Sequence, residues 1–155
     1  MHNYILKATL ILSLFTVISC SNKYDPLVLE PINLSTQGFH KEYTFKNNYQ
    51  GNYVIGLYVD KPIFPRDKYE TNFKLELTIY QDKKRILTKK LFKPEFNFTG
   101  WENGKGGMAL LVYKVPRDLP LNEPLLCSIT VVKSDKVFEK KYGKPKFFVR
   151  KMSDK

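Results

Sequence analysis

The side chains able to do covalent or metal chemistry are few: two cysteines, Cys20 and Cys127, and two histidines, His2 and His40, in 155 residues. A Ser-His-Asp site needs a histidine held between nucleophile and acid, and His40 would have to serve alone on a strand-like stretch. A zinc site needs clustered His and Cys ligands, and positions 40 and 127 form no cluster. Carboxylates could meet in the fold, but none stands in an aromatic-rich cleft signature. Cys127 shares its parity with Leu125, Ile129 and Val131, the setting of a buried core thiol. The sequence points away from catalysis, cofactor and metal, and leaves Cys20 as the residue to explain.

Cys20 ends a stretch with a recognisable physical order. Met1 to Lys7 carries one formal charge, Lys7, and Ala8 to Ile18 is an apolar run of eleven residues. A bilayer span needs about 20 apolar residues, so this run has the length of a secretory h-region. The polar stretch Ser21-Asn22-Lys23-Tyr24-Asp25-Pro26 closes off any longer span. Val17-Ile18-Ser19-Cys20 resembles the bacterial lipoprotein lipobox, with branched apolar residues, a small residue and an obligatory cysteine. The resemblance implies diacylglyceryl transfer to the Cys20 thiol, cleavage before it, and acylation (commonly palmitate) of the new amino terminus. An ordinary secretory signal with a chance cysteine is the plainer alternative. A single acyl chain holds a protein only marginally at about 0.8 kcal/mol per buried methylene, whereas three hold it essentially permanently. Ser21 after the cysteine resembles an outer-membrane address, so the expected location is the cell envelope, lipid-anchored at the outer membrane and facing the periplasm.

The whole chain has net charge +11, and removal of residues 1–19 would take away Lys7 and leave 25 bases against 15 acids. The excess is concentrated. Gln81 to Lys93 holds six bases and one acid, and Lys133 to Lys155 holds nine bases and three acids. In a cytosolic protein this would suggest nucleic acid. The export signal argues against that partner and for anionic envelope components or acidic proteins. Twenty-two of the 26 bases are lysine, which equally marks a solvated face or an edge strand protected from aggregation.

Positioning falls to strands. Phe73, Leu75, Leu77 and Ile79 alternate with Lys74, Glu76 and Thr78, and Gln81-Asp82-Lys83-Lys84 turns the chain into a return arm at Arg85 to Phe92. Tyr53, Ile55, Leu57 and Val59 mark another strand. Four more are expected at Phe39 to Phe45, Met108 to Val115, Leu125 to Lys133 and Lys146 to Arg150, with a weaker one near Leu27 to Leu34. Beyond the h-region no stretch shows a sustained apolar repeat at helical spacing. The expected fold is all-β: an antiparallel β-sandwich (immunoglobulin-like or transthyretin-like) of about seven strands after an N-terminal signal helix, with a small barrel as the rival. The expected organisation is a signal peptide at 1–19, the lipidated cysteine, short tether and first strand at 20–38, and the sandwich at 39–155.

Two loops offer contact surfaces. Asp60 to Glu70 sets Ile63 and Phe64 between prolines, either as an exposed apolar tip or folded back over the sandwich end. The stretch Phe96 to Gly107 combines aromatics with four glycines, and is expected to be a mobile, exposed segment or a long hairpin loop whose rings seal the core edge. Candidate partner contacts are Trp101, Phe98 and Lys105 there, with Lys89 and Lys90 on the lysine-rich strand.

The strand Tyr53-Val54-Ile55-Gly56-Leu57-Tyr58-Val59, the Phe73 to Tyr80 hairpin and the Val115-Pro116-Arg117-Asp118-Leu119-Pro120 turn together resemble small β-sandwich lipoproteins of Gram-negative bacteria. That resemblance implies a non-enzymatic envelope binding or adaptor module with a membrane contact through its lipid and a protein partner. The alternative is a periplasmic immunity lipoprotein that neutralises a secreted toxic effector, its positive charge meeting an acidic toxin. An enzyme or lipid carrier is the third class.

Overall fold

The computed structural model describes residues 26–64, 66, 71–91, 99–102 and 105–152. The expected signal segment at 1–19 and Cys20 lie outside these residues. Nine strands and one short helix follow in the order β1 (Val28–Pro31), β2 (His40–Lys46), β3 (Asn52–Val59), β4 (Lys74–Gln81), β5 (Lys84–Leu91), β6 (Thr99–Glu102), β7 (Lys105–Lys114), β8 (Pro124–Lys133), α1 (Lys136–Tyr142) and β9 (Lys146–Lys151). They form a five-stranded sheet, β1-β9-β3-β7-β6, and a four-stranded sheet, β2-β8-β4-β5. Every pairing is antiparallel. The architecture is the expected all-β sandwich.

Alternation decides which face is buried. Tyr53, Ile55, Leu57 and Val59 of β3 meet Phe73, Leu75, Leu77 and Ile79 from the β4 arm in one core. Cys127 lies among them on β8, fully buried with Leu125, Ile129 and Val131. A bulge in the β3–β7 pairing falls between Ile55 and Gly56. It switches the parity of β7, so that Met108 and Leu110 face the same core as Tyr113 and Val115. Gly56 is required there: a Cβ would strike the Met108 carbonyl and the Phe148 ring. Val54, Ala109 and Phe148 make a separate small cluster with Tyr58.

Six connections pass from one sheet to the other, and β4–β5 and β6–β7 are the hairpins within a sheet. At the β1–β2 side, Tyr43 stacks on Phe147 with ring centroids 4.4 Å apart, and its hydroxyl donates to the Pro31 carbonyl at 3.2 Å. Lys41 pairs with Glu30 at 2.9 Å on the surface, an exposed contact worth little by comparison.

The short helix α1 stands where the sequence shows no sustained apolar repeat at helical spacing. Its two turns are too short for a sustained periodic signal, yet Phe138 and Tyr142 are buried at i, i+4 spacing. Asp135 caps it by accepting from the Phe138 N–H at 2.9 Å, while its second oxygen accepts from the Asn72 N–H at 2.8 Å. Gly143 ends it at φ 90, with its N–H donating to the Glu139 carbonyl. Glu139 then accepts from the Leu34 and Ser35 N–H groups, fastening the β1–β2 connection to the helix.

Asp135→Ala removes the cap and the part-buried Asn72 contact, so it should lower unfolding free energy by about 1–3 kcal/mol. Asp135→Asn, which retains one carbonyl acceptor, should lose about half as much. Urea denaturation of the three proteins checks both values.

Candidate functional site

The lysine-rich return arm is β5, an edge strand of the four-stranded sheet. Lys84, Arg85, Lys89 and Lys90 are exposed along it. Such charges keep an open row of backbone donors and acceptors from pairing with another chain. Lys89 opposes Leu77 and Lys90 opposes Glu76. Successive strand residues point to opposite faces, so these two lysines do not form one patch. Lys90 shares the outer face with Glu76 and Thr130, while Lys89 has core-face parity at the open edge.

The 96–107 stretch is partly regular. Thr99–Glu102 forms β6, with Trp101 opposite Gly106 and Glu102 opposite Lys105. Of the two expectations for this stretch, a mobile segment or a long hairpin loop, the pairing gives a hairpin whose arms are strands rather than loop. Gly106 serves close approach: a Cβ would lie 2.5 Å from the Lys61 carbonyl oxygen and 2.8 Å from the Ile63 nitrogen. Phe98 lies outside the described residues. Because β1 and β2 border one side of the sandwich, β5 and β6 border the other. The structure therefore brings the Trp101–Lys105 hairpin and the β5 lysines to the same side.

The 60–70 loop divides its apolar pair. Ile63 is fully buried against the β7 start, and Phe64 is 43% exposed. His40 is exposed on β2, with Nδ1 hydrogen-bonded to the Thr130 hydroxyl at 2.9 Å and Nε2 at 3.9 Å from Glu42. Open depressions among the described residues include two worth noting. One, of about 450 Å3, is lined by Glu42, Thr44, Tyr80, Asp82, Lys83 and Leu126. The other, of about 390 Å3, lies between the β1 end and α1, beside Phe39, Lys41, Glu139 and Lys144. Among the described residues no three His, Cys, Asp or Glu side chains are grouped to hold a metal.

Helix α1 adds a surface that the strand reading missed. Val137 is 72% exposed, the most of any large apolar side chain described, and stands beside exposed Lys136, Lys140 and Lys141. The Asp135 cap, the Phe138–Tyr142 spacing and Gly143 were the sequence signals that could have found it.

Burial governs the titration of the interior. It pushes the Cys127 thiol from 9.0 up to about 12 and the Tyr113 hydroxyl from 10.0 up to about 12, the latter with a smaller contribution from Tyr53. Tyr43 rises for the same first reason, followed by the nearby charges of Glu30 and Cys127. A protonated, enclosed thiol is a poor nucleophile, so Cys127 is a packing residue.

No protein-family model matches this chain, and a search of curated proteins also finds no match. Among solved structures, the chain is similar to a crystal structure of a Sulfurospirillum deleyianum protein, with a TM-score of 0.57 at 14% identity. The similarity covers 84% of this chain and 99% of that one, and it concerns the fold alone.

Cys127 should resist thiol reagents at pH 8 in the folded protein and react once urea unfolds it. Its raised folded pKa gives a definite sign. Below pH 9 the contribution to stability is complete, and it is lost as pH rises from about 9 through about 12, because the unfolded thiol releases its proton first. Urea midpoints should therefore fall over that range, and Cys127→Ala should shed part of the fall.

Proposed function

We propose that this chain is a lipid-anchored, non-enzymatic binding or adaptor module of the cell envelope, facing the periplasm. The single observation that carries the reading is Cys20, in its lipobox-like setting, eight residues before the first strand at Val28. Eight residues reach at most about 29 Å, so lipid on Cys20 keeps the sandwich close to the membrane. The far end of the sandwich then faces outward, with α1 and its lysines around Val137. On the β5–β6 side, positions 101 and 105 of the β6–β7 hairpin are the proposed contact positions for a protein partner. Charge on both surfaces favours acidic partners and gives association a strong salt dependence.

In-cell cross-linking followed by affinity purification tests the reading, with a Cys20→Ala chain as control. Recovery of several envelope proteins with the lipidated form, lost in the control, is expected. A single toxic effector whose action is unmasked by deleting the gene would replace the adaptor reading with immunity. Trp101→Ala should weaken the recovered complex at least about tenfold, as for a central aromatic contact, while leaving the urea midpoint unchanged. Unfolding by that substitution would make Trp101 a core residue and remove it from the contact surface.

A further inference from the structure

We propose that the end of the sandwich from which the tether leaves is itself a docking surface for an anionic phospholipid bilayer. The inference rests on the lipid-anchor reading and adds a second, electrostatic contact to it. Strand register defines that end. Val28 of β1 pairs with Val149, and Tyr53 near the start of β3 pairs with Lys151. Asn52 pairs with Lys114, and Lys46 with Pro124. The β4–β5 turn joins them, since Tyr80 pairs with Leu126 near the start of β8. The chain therefore enters the fold at the end that carries Lys46, Lys83, Lys84, Arg85, Lys114 and Arg117, all exposed. Three acids, Asp82, Asp118 and Glu123, oppose these six bases.

None of these six bases makes an ion pair with a described residue. Their charge remains available to an external anion.

The same end also holds an apolar side chain out to solvent in a rigid setting. Leu121 is 47% exposed, between Pro120 and Asn122. Buried Asn47 fixes both neighbours. Its side-chain N–H donates to the Pro120 carbonyl at 3.1 Å, and its carbonyl accepts from the Asn122 N–H at 2.6 Å. Asn122 adopts φ 67, a left-handed turn conformation that asparagine tolerates. Met152, 40% exposed, follows the end of β9 at this same end. Cations around one or two exposed apolar side chains match a headgroup surface, where phosphates take the charge and the interface takes the apolar tips.

The opposite end, with α1, is also basic. Charge alone would not choose between the two ends. The tether chooses, because an eight-residue strand separates them by about 26 Å and the lipid is attached on the near side.

The test uses the mature lipoprotein carrying its own lipid, reconstituted in vesicles, with a spin label at Leu121→Cys or, separately, at Val137→Cys. Vesicles of pure phosphatidylcholine are compared with vesicles containing roughly 30% phosphatidylglycerol, the anionic component that should draw the near end down. At position 121, collision with a water-soluble relaxation agent should fall about threefold in the anionic vesicles. The fall should vanish at about 1 M salt, where the Debye length is only ~3 Å. At position 137 no change is expected. Lys46→Gln, Lys114→Gln and Arg117→Gln together should abolish the effect at 121 while leaving the protein on the vesicles. Equal access at 121 in both vesicle types, or shielding at 137 instead, would overturn the proposal while leaving the anchor intact. Failure to float with even the neutral vesicles would contradict the anchor and remove the basis of the proposal with it.

Discussion

The structure depends on the burial of two apolar sheet faces against each other. Six connections change sheets, so most neighbouring strands in a sheet come from distant parts of the chain. Local hairpins at β4–β5 and β6–β7 cannot by themselves assemble either sheet. Both sheets become complete only when Tyr43, Tyr53, Phe73, Phe147 and the aliphatic residues between them leave water together. Each such side chain contributes about 1.5–3 kcal/mol, which is far more than an exposed pair such as Lys41–Glu30 can supply. The stacked Tyr43 and Phe147 rings tie β2 in one sheet to β9 in the other. Asp135 and Glu139 carry out the polar counterpart of this closure, binding backbone N–H groups from residues 34, 35, 72 and 138.

That constraint leaves the two ends of the sandwich with different neighbours. One end receives the chain ahead of Val28 and holds Leu121 in a turn fixed by Asn47. The other carries α1, with Val137 among lysines. A domain assembled by its interior can vary both ends without altering its core, and positive charge at each end remains compatible with folding because it stays solvated. The lateral edges are under tighter control. β5 is lined with lysine and arginine, and the charges that look like a binding signal in the sequence also keep that edge from pairing with another sheet.

Most strands were legible because half-buried sheets impose a period of two. β3, β4 and β8 lie within a residue or two of where alternation put them. Misreadings arose where another constraint overrode the period. α1 is only two turns long, so its apolar spacing could not repeat, and its cap residues were the available signal. Gly106 suggested mobility, whereas it lets the 61–63 backbone pack directly on β7. Lys89 and Lys90 are adjacent contact candidates in the sequence but face opposite sides of their strand. For the contact residues, backbone positions 101 and 105 now fall in one hairpin, while Cys20 and Phe98 lie outside the described residues. The parity of Cys127 was sufficient to identify it as a core residue.

The central claim is that Cys20 is the lipidated amino terminus of the mature chain. Mass spectrometry of the amino-terminal peptide, released from protein extracted from membranes, tests it most directly. The account predicts a peptide that begins at Cys20 and continues with Ser21, heavier than its residues by a diacylglyceryl group and an amide-linked acyl chain. A peptide retaining residues 1–19, or one starting elsewhere with no lipid on Cys20, would contradict it.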